Sequence, residues 1–291
     1  MRLTRILRHS FAVTAFLGCA WLAWTQAKAP VTPSKLNKIA DDLYELETAG
    51  GGLTSNGGNV AIYITSEGVI LVDDKFDLNF PDIMASVKSV TDKPVKYVLS
   101  THHHGDHTGS SARWLEQGAM IVAHRNNRAL MEKNKQPGLP QITFNDEASV
   151  FLGGKEVRMK YFGRGHTGGD AVVYFPANKV VHTGDLFVNF APLIDYNNGG
   201  TILDWPHTLE GALGLDFDTA IPGHGPISKK DDVRKFREKI MAMQNRIGSM
   251  SRTGSPDADI LKMLAADYGF GDGTPQARFA SNLIAEVKAG K

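Results

Sequence analysis

Four histidines and one carboxylate crowd into six positions of this 291-residue chain: His102, His103, His104, Asp106 and His107. Uncharged imidazole and carboxylate are the donor set of zinc and similar divalent ions. A β-type run, residues 95–100 (VKYVLS), ends just before them, so the cluster leaves the carboxyl end of a strand on a loop. In extended backbone alternate residues share a face, so His102 and His104 can close on one ion. Asp106 and His107 follow the turn at Gly105 and can face a second ion. Three further candidates stand where other strands run out. They are His166 in a glycine-rich turn (165–170, GHTGGD), Asp185 in TGD (183–185), and His224 in PGHG (222–225). A lone histidine or aspartate in such a place says little; three of them beside an existing cluster point to a metal centre.

Taken in order, H-x-H-x-D-H, G-H-T-x-G, G-D and G-H-G resemble the motif set of the metallo-β-lactamase superfamily, over about residues 59–226. The resemblance implies an α/β fold, a four-layer αβ/βα sandwich with the metals at one edge of two facing sheets. It implies His102, His104 and His166 on a first metal, Asp106, His107 and His224 on a second, and Asp185 bridging both, as in glyoxalase II-like members. The implied cofactor is two zinc ions per chain, with iron or manganese as alternatives. Aspartate at position 185 is typical of thioesterases, lactonases and many other hydrolases, whereas several β-lactamase subclasses carry Cys or Ser there.

The reaction implied is hydrolysis of an ester, thioester, lactone or amide, β-lactams included. Two dications lower the pKa of a shared water from ~15.7 towards ~7, and that water attacks the carbonyl carbon. The resemblance gives Asp106 a second, catalytic role in orienting the nucleophile and shuttling its proton. The substrate is expected to be a small molecule. An alternative on the same fold is a mononuclear iron persulfide dioxygenase, which would use His102, His166 and Asp185 only. Diiron electron-transfer relatives carry Glu in place of His104, and nuclease relatives add a nucleic-acid domain for which there is no insertion or basic patch here.

The remaining histidines have plainer readings. Alternation turns His103 away from the ligand face, His182 lies within a strand, and His124 and His207 stand at helix starts. Asp73, closing the run 69–73, resembles the superfamily aspartate that supports a ligand histidine by hydrogen bond. A turn or helix cap is the competing reading for Asp73 and Asp74. Residues 186–205 are aromatic-rich and irregular; they read as a pocket wall, shaped by Phe187, Phe190, Tyr196 and Trp205, or as a packed connection.

These residues need a scaffold, and the chain supplies alternating strands and helices. β-Type runs are expected at 43–48, 59–65, 69–73, 95–100, 120–123, 171–175, 180–183 and 219–221, with a hairpin of 150–152 and 157–162 around Gly153-Gly154. Helical periodicity runs from Pro81 through Val90 and over 110–117. After Pro226 it continues through Val233, Phe236, Ile240, Met243 and Ile247, then over 257–268 and 276–288. Alternation of this kind indicates an α/β sandwich. A glycine cluster at 50–58 is either a hairpin loop or a flap over the site. Hydrophobic residues form 42% of the chain, enough for a large core, and the net charge of +1 gives no field attracting nucleic acid or an anionic membrane.

The amino terminus reads as an export signal over residues 1–27. Arg2, Arg5 and Arg8 precede an apolar run at 11–24 that falls short of the ~20 residues needed to span a bilayer. Cutting after Ala27 would send a periplasmic protein without a stable membrane segment; an uncleaved anchor and lipidation at Cys19 are the competing readings. Cys19 is the only cysteine, so its loss with the signal leaves no thiol ligand or nucleophile. Residues 28–40 read as a linker, and 41–291 as the catalytic domain with its C-terminal helices.

Overall fold

The computed structural model describes residues 32–48 and 56–290. The export signal, Cys19, and positions 50–55 of the glycine cluster lie outside the described residues.

The first sheet follows chain order: β1 (Lys35–Lys38), β2 (Leu43–Glu47), β3 (Val60–Ile64), β4 (Val69–Val72), β5 (Val95–Ser100), β6 (Met120–His124) and β7 (Ile142–Phe144). Its first four strands are an antiparallel meander, and β4 to β7 run parallel. Parallel neighbours need crossovers. These are α1 (Phe80–Val90), the one-turn helix α2 (Gly105–Thr108) with α3 (Ser111–Glu116), and α4 (Arg125–Lys133). The second sheet repeats the scheme with β8 (Glu147–Leu152), β9 (Lys155–Tyr161), β10 (Ala171–Phe175) and β11 (Val180–His182) antiparallel. Helix α5 (Trp205–Leu213) then crosses to β12 (Thr219–Ile221), parallel to β11, and β13 (Ser228–Lys229) closes the edge. Helices α6 (Lys230–Arg252), α7 (Asp257–Tyr268) and α8 (Ala280–Ala289) complete the chain.

Side-chain alternation explains why the strands read as continuous apolar runs. On β3, Val60 and Ile62 pack outward with Ile83, Val87 and Trp114, while Ala61 and Tyr63 face the second sheet. On β10, Ala171, Val173 and Phe175 face inward, and Val172 packs outward against the layer of α5 to α8, with Trp205, Ile240 and Leu283. Both faces of each sheet are covered, which gives the four-layer αβ/βα sandwich expected. In each sheet one parallel pair, β4–β5 and β11–β12, sends its carboxyl ends to a common edge.

The sequence reading is corrected at several points. Residues 35–38 are not linker but the edge strand β1, whose Asn37 donates to Glu45 on β2 at 3.0 Å and to Glu47 at 2.9 Å. Gly105, where a turn is expected, is the first residue of a one-turn helix over 105–108. Helices α4 and α5 were expected only as starts at His124 and His207, because α4 (RNNRALMEK) carries too few apolar residues to show a stripe, and strands β7 and β13 had no expected counterpart, being too short for a period.

Glu45 is fully buried, and burial pushes its carboxyl up to about 7 against the opposing Asn37 hydrogen bond. Because the folded pKa lies above the ordinary 4.5, the stability the group contributes is present below about pH 4.5 and lost as pH rises through about 7. Glu45→Gln should therefore stabilise the chain by roughly 1–3 kcal/mol at about pH 8, the gap shrinking towards pH 5. Urea unfolding at both values checks this; a gap independent of pH would count against the buried-carboxyl account.

Candidate metal centre

The loops at the common edge bring all seven sequence candidates together. His102, His104 and His166 form one group of facing donor atoms, and Asp106, His107 and His224 form another. His104 Nδ1 lies 2.9 Å from His166 Nε2. In the other group His224 Nε2 lies 3.2 Å from Asp106 Oδ2 and 3.3 Å from His107 Nε2. Asp185 sits between: its Oδ1 is 3.3 Å from His107 and 3.5 Å from His224, while its Oδ2 is 3.6 Å from His166. Five of the seven side chains are essentially buried; Asp106 and His104 keep 19% and 26% exposure and form the accessible rim.

For four of the five imidazoles an outer hydrogen bond fixes which nitrogen faces inward. His166 Nδ1 contacts the Leu193 carbonyl at 2.5 Å, and a carbonyl only accepts, so Nδ1 carries the proton and Nε2 presents a lone pair. His104 Nε2 donates to Asp195 at 2.8 Å, leaving Nδ1 inward. His107 Nδ1 donates to Asp73 at 2.8 Å. Thr101 gives its hydroxyl proton to Asp73, so its oxygen accepts from His102 Nδ1 at 3.1 Å and leaves His102 Nε2 buried without a partner. His104 and His166 thus confront each other with lone pairs at 2.9 Å, an arrangement that needs a proton or a cation between them. The donor set fits a bound metal: four of the five imidazoles have tautomers fixed by an outer carboxylate, hydroxyl or carbonyl, and only His224 Nδ1 is buried without such a partner.

Electrostatics agree. Burial and the neighbouring imidazoles hold His102 well below its ordinary value, and burial brings His166 down to about 4. Burial also disfavours the charged form of His107, but Asp106, Asp185 and Asp73 outweigh it and raise that ring's proton affinity. Asp185 is held well below the carboxylate range despite burial, chiefly by His224 and His107. Without a cation, the carboxylates of the site draw a proton onto His107.

The scaffold ties the two rims together. Ala171 N–H donates to the Thr101 carbonyl, and Asn59 bonds Gly223 through its backbone and Pro222 and Gly225 through its side chain. Asp73 is the hydrogen-bond support expected of it, and it holds a positive φ of 62°. Asp74 is no helix cap: it accepts from Ser110 N and Ser111 Oγ and so ties the end of β4 to the start of α3. His103 is buried with both ring nitrogens unpartnered, 3.9 Å from Asp195. His182 is satisfied in its strand by the Asn59 carbonyl and the Gly184 N–H. His124 caps α4, and His207 lies in the first turn of α5.

Sequence reasoning missed Asp195, which orients His104, and Lys75, whose buried ammonium donates to Thr48 Oγ1 and the Gly58 carbonyl. The available signal for Asp195 was an Asp-x-x-Asn turn in an otherwise aromatic stretch. Segment 186–205 is mainly a packed connection: Phe187, Ile194, Ile202 and Trp205 join the core. Phe187 and Phe190 also line a cleft of about 480 Å³ against α6, with the Phe190 ring 6.1 Å from that of His224.

Fold and donor set together define a metal-dependent hydrolase. The chain belongs to the metallo-beta-lactamase superfamily, whose family model matches residues 53–224. It is 29% identical over 155 residues to the Metallo-beta-lactamase type 2 of Elizabethkingia meningoseptica, a match covering 52% of this chain and 61% of that protein. It is 26% identical over 193 residues to Metallo-beta-lactamase IND-1 of Chryseobacterium indologenes, covering 64% and 80%. A third relative, 2,4-dinitroanisole O-demethylase subunit alpha of a Nocardioides species, is 30% identical over 135 residues, covering 45% and 41%. Among solved structures, a metallo-beta-lactamase from Pontibacter korlensis superposes with a TM-score of 0.65 at 21% identity, over 72% of this chain and 99% of that one. The DIM-1 metallo-beta-lactamase gives 0.63 at 20%, over 73% and 99%.

Gly58 packs so closely on His107 that an added Cβ would lie 2.2 Å from its Cε1. The ring is pinned by Asp73 and has no room to yield. Gly58→Ala should destabilise the chain by about 1–3 kcal/mol and weaken metal uptake by the His107 group. Calorimetry and metal analysis after dialysis test both; an alanine variant with wild-type melting and metal content would refute the close fit.

Proposed function

We propose that this chain is a dinuclear zinc hydrolase cleaving an ester, thioester, lactone or amide bond, β-lactams among the amides. The observation that carries the proposal is the division of Asp185: its two oxygens face different donor groups, so one carboxylate could serve two cations. His102, His104 and His166 would hold one ion, and Asp106, His107 and His224 the other. A bound pair of zinc ions supplies a low-pKa water and a Lewis acid for the carbonyl oxygen. The protein's own part is positional. Asp73, Thr101, Leu193 and Asp195 fix four imidazoles by their outer nitrogens. Asp106 turns one oxygen towards His224 and His107 yet stays partly exposed at 19%, so it can take a proton from an approaching water and return it to a leaving group. Phe190, beside His224, gives an apolar wall for the substrate.

The relatives named for β-lactams and for an aryl methyl ether widen the substrate screen without choosing within it. The basic and apolar pattern of residues 1–27 supports action in the periplasm after export.

The purified chain should carry two zinc ions and turn over at least one of a thioester, a lactone, an ester, a chromogenic β-lactam and 2,4-dinitroanisole. Asp106→Asn should lower kcat on the best substrate by about 10²-fold or more while the circular dichroism spectrum is kept. Full activity in that variant sinks the assigned role of Asp106. A single iron per chain with no hydrolysis would instead favour the persulfide dioxygenase reading.

A further inference from the structure

The first donor group rests on one loop, residues 193–202, which lies against it from outside. The Leu193 carbonyl orients His166 and the Asp195 carboxylate orients His104. The loop is fastened to the ligand turn along its length: Asp195 N–H donates to the His166 carbonyl, Gly168 N–H to that of Asn198, and Thr201 N–H to that of Gly165. Contact is so close that a Cβ on Gly200 would lie 2.4 Å from the His166 carbonyl oxygen. Internally, Asp195 accepts from Asn198 Nδ2 at 2.7 Å, and its carbonyl accepts from Gly200 N–H at 2.8 Å. A shift anywhere in this loop therefore reaches both imidazoles.

What holds the loop at its far end comes from the last helix. Glu286 on α8 accepts from Ile202 N–H at 3.0 Å and from the Thr201 hydroxyl. Thr201 and Ile202 are buried, and Gln244 of α6 caps the Ile202 carbonyl. Burial and the Glu286 charge together raise the half-buried Tyr196 phenol above its usual range. Lys133 of α4 reaches the Asn197 carbonyl and Asn198 from the opposite side at 3.1 Å, but that contact is exposed. Glu286 is thus the partly buried anionic anchor of the loop, and it lies 62 positions beyond the end of the family match at residue 224.

We propose that Glu286 is a positioning residue for the first metal group: by holding Thr201 and Ile202 it sets the 193–202 loop, and through Leu193 and Asp195 it sets His166 and His104. This rests on the two-metal reading above. Loss of the anchor relaxes two of three ligands in one group and none in the other, so the two ions should respond unequally.

The test is a cobalt(II) titration of the metal-free full-length chain, followed by visible absorbance, with Glu286→Ala, Glu286→Gln and Lys288→Ala beside wild type. Lys288 shares α8 and pairs with Asp257, away from the loop, so its variant reports mere loosening of the helix. Wild type should bind two ions. Glu286→Ala should bind one of them about tenfold more weakly and the other unchanged, with activity restored at high cobalt. Glu286→Gln, whose amide oxygen still accepts from Ile202 N–H, should fall between, and Lys288→Ala should match wild type. Equal affinities in Glu286→Ala and wild type overturn this inference alone. So does a parallel loss in Glu286→Ala and Lys288→Ala that tracks their melting temperatures. Wild type that takes up no cobalt overturns the metal-centre reading, and this inference with it.

Discussion

The structure is organised around a confrontation of lone pairs. His104 Nδ1 and His166 Nε2 face each other at 2.9 Å, with their outer nitrogens already committed to Asp195 and Leu193. Neither ring can turn away without abandoning a partner, and burial makes a lost hydrogen bond costly. The same holds for His107, fastened to Asp73 at 2.8 Å and directed at His224 and Asp185. Only something positively charged relieves such an arrangement, and the donor types suit a metal ion. The chain has concentrated its polar interior here, and the sheets, caps and close glycine contacts nearby serve to hold it.

The local backbone shows what that demands. Asp73 and Lys75 both adopt positive φ, 62° and 57°, which non-glycine residues do at a cost of order 1 kcal/mol each. Between them Asp74 accepts from Ser110 N–H at the start of α3, so three successive residues bind the histidine, the helix start and the Gly58 carbonyl. Gly223 shows the same crowding from the other sheet, where a Cβ would lie 1.9 Å from Asp185 Oδ1. Strain of this kind persists only where the surroundings over-determine it, and it collects at functional sites.

Much of this was legible in the sequence because the site is made of strand ends. A buried strand announces itself by β-branched runs such as 69–72 and 95–100, and a donor that follows at once must lie at the sheet's edge. That logic located His102, His104, Asp106, His107, Asp185 and His224, and the glycine turn located His166. It could not locate Asp195 or Glu286. Each acts through a loop without a period, and its partner is set by tertiary packing 91 positions away for Asp195–His104 and 84 for Glu286–Ile202. Strand β1 was hidden for a related reason: KLNK has no apolar alternation, and only pairing with β2 makes it a strand. Helix α4 showed only its start, at His124, which caps it; its polar sequence has no apolar stripe to mark the rest.

The donors are divided between the two halves of the sandwich, and this has an energetic consequence. His102, His104, Asp106 and His107 leave β5 in the first sheet, whereas His166, Asp185 and His224 hang from the second. Each facing group draws on both, so no group is complete until the sheets have packed. A cation bound at either group therefore binds the docked sandwich and not its separate halves. By mass action its affinity adds to the stability of the interface between the sheets. Conversely, whatever loosens sheet packing lowers metal affinity, even at positions far from any ligand. The backbone bonds of Asn59 to Gly223 and of Ala171 to Thr101 carry this coupling without a metal. They keep the rims in register so that a cation entering the edge meets donors already in place, and little of its binding energy is spent on ordering them.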